Sequence, residues 1–181
     1  MKAILISIRP EWVAKILNGE KTIEIRKKFP SDYVGWVYIY NTMDIKDGYL
    51  TRIYVDDKLE FILSHSPHLK YRGKVIARFW CDKVEEIKRK GCDIYTDTMF
   101  ESALLDKSCL DLDTICNYLK HEEWQKKEIV VGKAIHVTKL EIFDKPKEIS
   151  EFKQMLADSC GIYYKSLTRA FQLWGYVEVD L

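Results

Sequence analysis

Gly19-Glu20-Lys21-Thr22-Ile23-Glu24-Ile25-Arg26 is the stretch on which the fold reading turns. From Lys21 to Lys27 the residues alternate strictly: Ile23 and Ile25 point one way, Thr22, Glu24 and Arg26 the other. A side-chain period of two is that of a β-strand with one face in a core and one face polar. Glu24 and Arg26 then share a face, their side-chain bases about 7 Å apart by the rise of a strand. Just upstream, PEWVAKILN (10–18) predicts a helix. Pro10 suits its first turn, where the missing N–H costs nothing, and Trp12, Val13, Ile16 and Leu17 cover one face. Gly19 follows where a left-handed residue is wanted. Before Arg9-Pro10, residues 2–8 (KAILISI) read as a buried strand. The opening order is strand, helix, strand.

Downstream, Gly35 to Tyr40 (GWVYIY) is a further strand, rich in aromatic and β-branched residues. Residues 50–63 hold two β-prone runs around Asp56-Asp57, a hairpin pattern. Gly73 opens a long strand-like run that loses its alternation near Cys81-Asp82. Between about 92 and 127 the character becomes helical, with helices over Met99–Leu105 and Leu112–Lys120, the second capped by Asp111. Strand character returns over Lys133–Phe143, interrupted by His136, Thr138 and Lys139 and ended by Pro146. A short helix is expected over 149–156, and Gln172–Val179 closes the chain as a strand. Many short strands with sparse helices favour a closed or half-closed barrel with helices outside it. The expected organisation is one domain over residues 1–181, carrying a helical insertion at about 92–127.

Composition narrows the function. The chain has 181 residues, 47% hydrophobic and 31% charged, with a net charge of +1. A near-neutral protein does not coat nucleic acid through overall charge, so phosphate binding would need a local patch. The apolar run at the N-terminus is too short for a secretory signal or a membrane span, which predicts a cytoplasmic protein with no membrane partner. The cysteines (Cys81, Cys92, Cys109, Cys116, Cys160) form no CxxC pair and read as reduced thiols. Cys109, Cys116 and His121 match no common zinc spacing. His65 and His68 flank Pro67 in a loop. No metal and no cofactor is expected.

Gly19-x-Lys21-x-x-Glu24-x-Arg26 resembles the signature of ASCH domains, Gly-x-Lys-x-x-Glu-x-Arg. The preceding Ser7-Ile8-Arg9-Pro10 to Asn18 sits where that family places its first strand and helix. The close of the chain resembles a bacterial and phage-associated ASCH subgroup, through residues 143–152 (FDKPKEISEF) and then Leu167-Thr168-Arg169, Gln172, Trp174 and Tyr176-Val177. Where that subgroup has prolines after the arginine, this chain has Ala170-Phe171. The resemblance implies an α+β, PUA-like (ASCH) mixed β-barrel that binds RNA or a nucleotide-like ligand. It also brings an alternative, since one branch removes an acyl group from a modified cytidine with a lysine, a threonine and a glutamate. The lysine maps onto Lys21. The threonine maps onto position 24, which is Glu24 here.

The expected ligand-binding set is therefore Arg9, Lys21, Glu24, Arg26, Lys27, Arg169, Gln172 and Trp174, around a polar cleft. Arg26 offers a planar fork to a phosphate or base edge, and Glu24 an acceptor for an amine. Gln172 offers a donor and an acceptor, and Trp174 a stacking face. Lys21 and Glu24 would be catalytic if the protein is a hydrolase acting on a modified nucleoside or RNA. A second basic stretch, Lys70, Arg72, Lys74 and Arg78, is interleaved with Tyr71, Phe79 and Trp80 as in single-strand binders. The remaining alternative is an accessory protein that sequesters a nucleotide or contacts a protein partner.

Overall fold

The computed structural model describes residues 2–44, 46, 48–66, 69–91, 93–119, 129–159 and 161–179. In chain order the elements begin β1 (Lys2–Ile8), α1 (Pro10–Leu17), β2 (Ile23–Arg26), β3 (Gly35–Asn41), β4 (Tyr49–Val55) and β5 (Lys58–Ser64). There follow β6 (Lys74–Cys81), β7 (Val84–Lys90), β8 (Asp93–Tyr95), α2 (Glu101–Ser108) and α3 (Leu112–Leu119). The last are β9 (Ile129–His136), β10 (Thr138–Lys147), β11 (Lys153–Asp158), β12 (Gly161–Ser166) and β13 (Trp174–Glu178). The class is α+β, as expected. The elements sort into two compact units, one of Met1–Asn18, Gly35–Trp80 and Lys139–Leu181, the other of Gly19–Val34 and Cys81–Thr138.

The first unit is built on a seven-stranded mixed sheet in the order β10-β6-β3-β1-β13-β11-β12. Strand β1 runs parallel to β3, from Ile4↔Val37 to Ile8↔Asn41, and antiparallel to β13, from Lys2↔Glu178 to Ile6↔Trp174. Ala3 to Ile8 are all buried. An interior strand closed on both faces has no use for a polar alternation, which is why KAILISI reads as an unbroken apolar run. Ala3, Leu5, Tyr38, Phe152, Leu167 and Val177 form the core of one cluster. Helix α1 starts at Pro10 and turns out at Gly19, whose φ is +77°. Asn18 clamps the helix end to β5, its amide donating to the Phe61 carbonyl and accepting from the Phe61 N–H, both at 2.9 Å. The hairpin β4–β5 pairs from Tyr49↔Ser64 to Val55↔Lys58. Asp56 and Asp57 form its tip at φ +46° and +62°.

The second unit is a four-stranded sheet, β2-β9-β7-β8, with α2 and α3 packed on it. The helices have no core of their own. Leu104 of α2 and Ile115 and Leu119 of α3 bury with Ile23, Ile25 and Ile87 of the sheet. Asp111 caps α3 as expected, accepting from the Thr114 N–H at 2.6 Å. Strand β9 slips register against β7 between Ile87 and Lys88. At that irregularity sits Gly132, where a Cβ would lie 2.7 Å from Leu119 and 3.1 Å from the Arg26 carbonyl oxygen. A side chain there would push α3 off the sheet.

Three expectations are corrected. Residues 149–156 do not form one helix: a 3-10 turn covers Ile149–Glu151, and β11 begins at Lys153. Glu148 and Glu151 cap that single turn reciprocally. Beyond it, pairing with β12 from Lys153↔Ser166 to Asp158↔Gly161 overrides the helix propensity of Lys153-Gln154-Met155-Leu156. Residues 133–143 are not one strand either. The chain breaks after His136, and Lys139 takes a left-handed φ of +43°. Pro146 lies inside β10, an edge strand, where a missing N–H is tolerated. Among the described residues no helix is long and apolar enough to cross a membrane.

Candidate functional site

Lys21, Glu24 and Arg26 meet in the second unit. Glu24 holds both cations: its Oε1 lies 2.9 Å from Arg26 Nη2 and its Oε2 lies 3.5 Å from Lys21 Nζ. Lys21 Nζ also donates to the carbonyl of Ser108, the last residue of α2, at 2.6 Å. The Thr22 N–H donates to the neighbouring carbonyl of Lys107 at 2.9 Å. A cation at a helix C-terminus satisfies carbonyls that have no partner within the helix and complements the helix dipole. The strand expected to show a polar face is instead buried at all four positions. Lys21, Glu24 and Arg26 are 2%, 6% and 8% exposed, so the open hollow expected for them is replaced by a closed charge network. Burial pushes the Lys21 pKa down, with Arg26 adding to the push and Glu24 pulling against it. Lys27 is exposed and lies over the Tyr118 ring at 5.5 Å.

The other expected ligands belong to the first unit. Arg9 is exposed and pairs with Asp44 at 3.5 Å. Arg169 and Gln172 come together at a pocket of about 700 Å³, whose rim also carries Gln154, Lys165 and Thr168. The register Gln154↔Lys165 sets these two residues opposite each other on one face of the β11–β12 ladder, and Phe171 and Leu167 form the apolar side. Trp174 does not join them. It packs edge-on against Tyr176 at 5.8 Å, on the β13 face opposite Gly175, where a Cβ would lie 2.5 Å from the Phe171 ring. Among the described residues no carboxylate pairs with Lys165 or Arg169.

Most of the second basic stretch is already occupied. Arg78 donates to Glu141 at 2.7 Å and to the Tyr38 hydroxyl at 3.2 Å, with its guanidinium 4.1 Å from the Trp36 ring centroid. Lys74 pairs with Glu148, and Arg72 donates to the Met43 carbonyl. Phe79 and Tyr71 are core residues, and Trp80 stands edge-on to Trp36 at 5.4 Å. Cys81, Cys109 and Cys116 are free, and burial pushes the Cys81 thiol up to about 12, making it inert. Cys92, Cys160, Pro67, His68 and His121 lie outside the described residues.

No family model and no curated protein matches the chain. Two solved structures do, both from Zymomonas mobilis. One is a mutant of its ZmASCH protein, 15% identical with a TM-score of 0.46 over 82% of this chain and 77% of that one. The other is its ASCH protein, 15% identical with a TM-score of 0.41 over 80% and 69%. The chain resembles ASCH-domain structures.

Sequence reasoning missed one buried network. Glu85 of β7 accepts from the Thr98 hydroxyl at 2.7 and 2.8 Å and from the Thr98 N–H at 3.1 Å. His136 Nε2 lies 2.8 Å and Lys83 Nζ 3.1 Å from the same carboxylate. Burial alone would raise the Glu85 pKa, but hydrogen bonds from Thr98, Thr96, Lys83 and His136 outweigh it and bring it to about 2. The signal was present in the alternation: Glu85 and Ile87 share a strand face, and Ile87 is core. An acid in a core-facing position calls for a set of donors.

Proposed function

We propose that the chain is an RNA- or nucleotide-binding protein of the ASCH type, with its ligand site at the Arg169–Gln172 pocket of the first unit. The observation that carries this reading is the convergence of two cations free of carboxylate partners among the described residues, Lys165 and Arg169, with the amides of Gln154 and Gln172. Cations not neutralised by the protein attract phosphate, and amides read the donors and acceptors of a base edge. The pocket's size suits a nucleotide, since ligand pockets run from about 300 to 1,000 Å³. Phe171 offers an apolar wall against which a base can lie. Isothermal titration of the wild type, Arg169→Ala and Gln172→Ala with nucleoside monophosphates and a 12-nucleotide oligouridylate tests it. Binding that weakens in both variants at unchanged unfolding midpoint is the expected result. Equal binding by all three proteins removes the reading.

A second reading, hydrolysis of a modified nucleoside or RNA through Lys21 and Glu24, is favoured by the lowered pKa of Lys21, which raises the fraction of neutral amine. It requires the network to open, because a base must come within hydrogen-bond reach of the proton it takes. Incubation with modified nucleosides and RNA separates the two: product formed equally by Lys21→Ala acquits this site.

A further inference from the structure

The β4–β5 hairpin carries a separate pocket of about 330 Å³, lined by Thr51, Arg52, Tyr54, Leu59, Lys70 and Tyr71. The register Arg52↔Phe61 and Tyr54↔Leu59 places the guanidinium and the phenol ring side by side on one face, two residues apart. Arg52 leans on Phe61, with its guanidinium carbon 5.7 Å from the ring centroid, and Lys70 Nζ stands 5.2 Å from the Tyr71 ring. Rings hold these two cations in place. Among the described residues no carboxylate pairs with either, whereas Arg78, Lys74, Lys88 and Lys133 each have one. The floor is fixed: Tyr71 is buried, and its carbonyl accepts from the Asn41 amide at 2.8 Å. Tyr54 is the opposite case, a ring 78% exposed on a paired strand.

We propose that this hairpin pocket is a second ligand site, which takes one nucleotide of a single-stranded nucleic acid, its base stacked on Tyr54 and its phosphate held by Arg52 and Lys70. An exposed ring beside unneutralised cations is the pairing that single-strand binders use, since every base has a face to stack and every link a charge. Ring-held cations favour phosphate over carboxylate-rich peptides no more than charge alone would; the adjacent open ring selects the nucleotide. The site does not depend on the Arg169 pocket and is tested apart from it.

Fluorescence anisotropy with labelled 12-nucleotide oligouridylate and oligodeoxythymidylate is the experiment. Tyr54→Ala is expected to weaken binding by about 5- to 150-fold, the range for losing one stacked base, while Tyr54→Phe binds as wild type. Arg52→Ala and Lys70→Ala are each expected to reduce the slope of log affinity against log salt by about 0.7. Preference for one 12-mer assigns the site to RNA or to DNA, and equal binding assigns it to either strand. Wild-type affinity in both Tyr54→Ala and Arg52→Ala, or no binding of either 12-mer by the wild type, overturns the proposal. If Arg169→Ala alone weakens binding, the hairpin site falls and the other pocket stands.

Discussion

Glu24 is the residue whose environment differs most from its appearance in the sequence. Two residues from an arginine on an alternating strand, it looks like one half of a surface pair, worth under about 1 kcal/mol. In the fold it is a carboxylate held between two buried cations, one of which closes the end of a helix. Removing the anion from such a network leaves charges buried without compensation, at a cost of about 3–5 kcal/mol. Glu24→Ala should therefore unfold at markedly lower denaturant, with Glu24→Gln less affected; a midpoint within error of wild type would contradict the network. Glu85 makes the matching prediction in pH. Its folded pKa of about 2 lies below the ordinary 4.5, so the unfolded chain binds its proton first as pH falls. The stabilisation is complete above about pH 4.5 and is lost between there and pH 2. At about 1.4 kcal/mol per unit it amounts to about 3 kcal/mol. Urea unfolding at several pH values should show this acid-side slope in the wild type and a flatter one in Glu85→Gln.

At the scale of elements, the hairpin and the last strands lend themselves to substitution. Asp56 and Asp57 both occupy left-handed backbone, which Asn and Gly adopt at less cost. Asp56→Asn with Asp57→Gly should relieve the left-handed strain at the tip and stabilise the first unit, read as a raised melting temperature. Gly175 gives the opposite sign. A Cβ there meets the Phe171 ring at 2.5 Å, so Gly175→Ala must displace that ring, at about 1–3 kcal/mol, and should distort the Arg169 pocket it lines. Elements whose local signals agree with the fold were legible from sequence: α1 between Pro10 and Gly19, the 56–57 hairpin, the cap at Asp111. The stretch from Ile149 was not, because Lys153–Asp158 owes its strand to pairing with β12, and no local pattern in KQMLAD announces that partner. The site was legible in part for the same reason. Alternation put Glu24 and Arg26 on one face, but it carried no sign that α2 would end against Lys21.

The whole molecule is threaded more than its sequence suggests. Each compact unit collects segments distant along the chain, and the first draws on three. Its sheet is ordered from an interior strand at the start of the chain to an edge at β12. Opening the interior requires breaking ladders on both sides, whereas the edge has one. Hydrogen exchange should accordingly leave Ile4, Leu5 and Ile6 protected to the limit of global unfolding, with Ile162 to Lys165 exchanging much sooner. Comparable rates in the two strands would contradict this order. The pairing of β1 with β13 also has a bearing on synthesis. Strand β1 is made well before β13 and keeps one flank bare until residues 174–178 have cleared the exit tunnel, so an oily stretch waits without its β13 neighbour while everything between them is synthesised. Holdase chaperones that shield nascent chains would be the natural guardians of that interval.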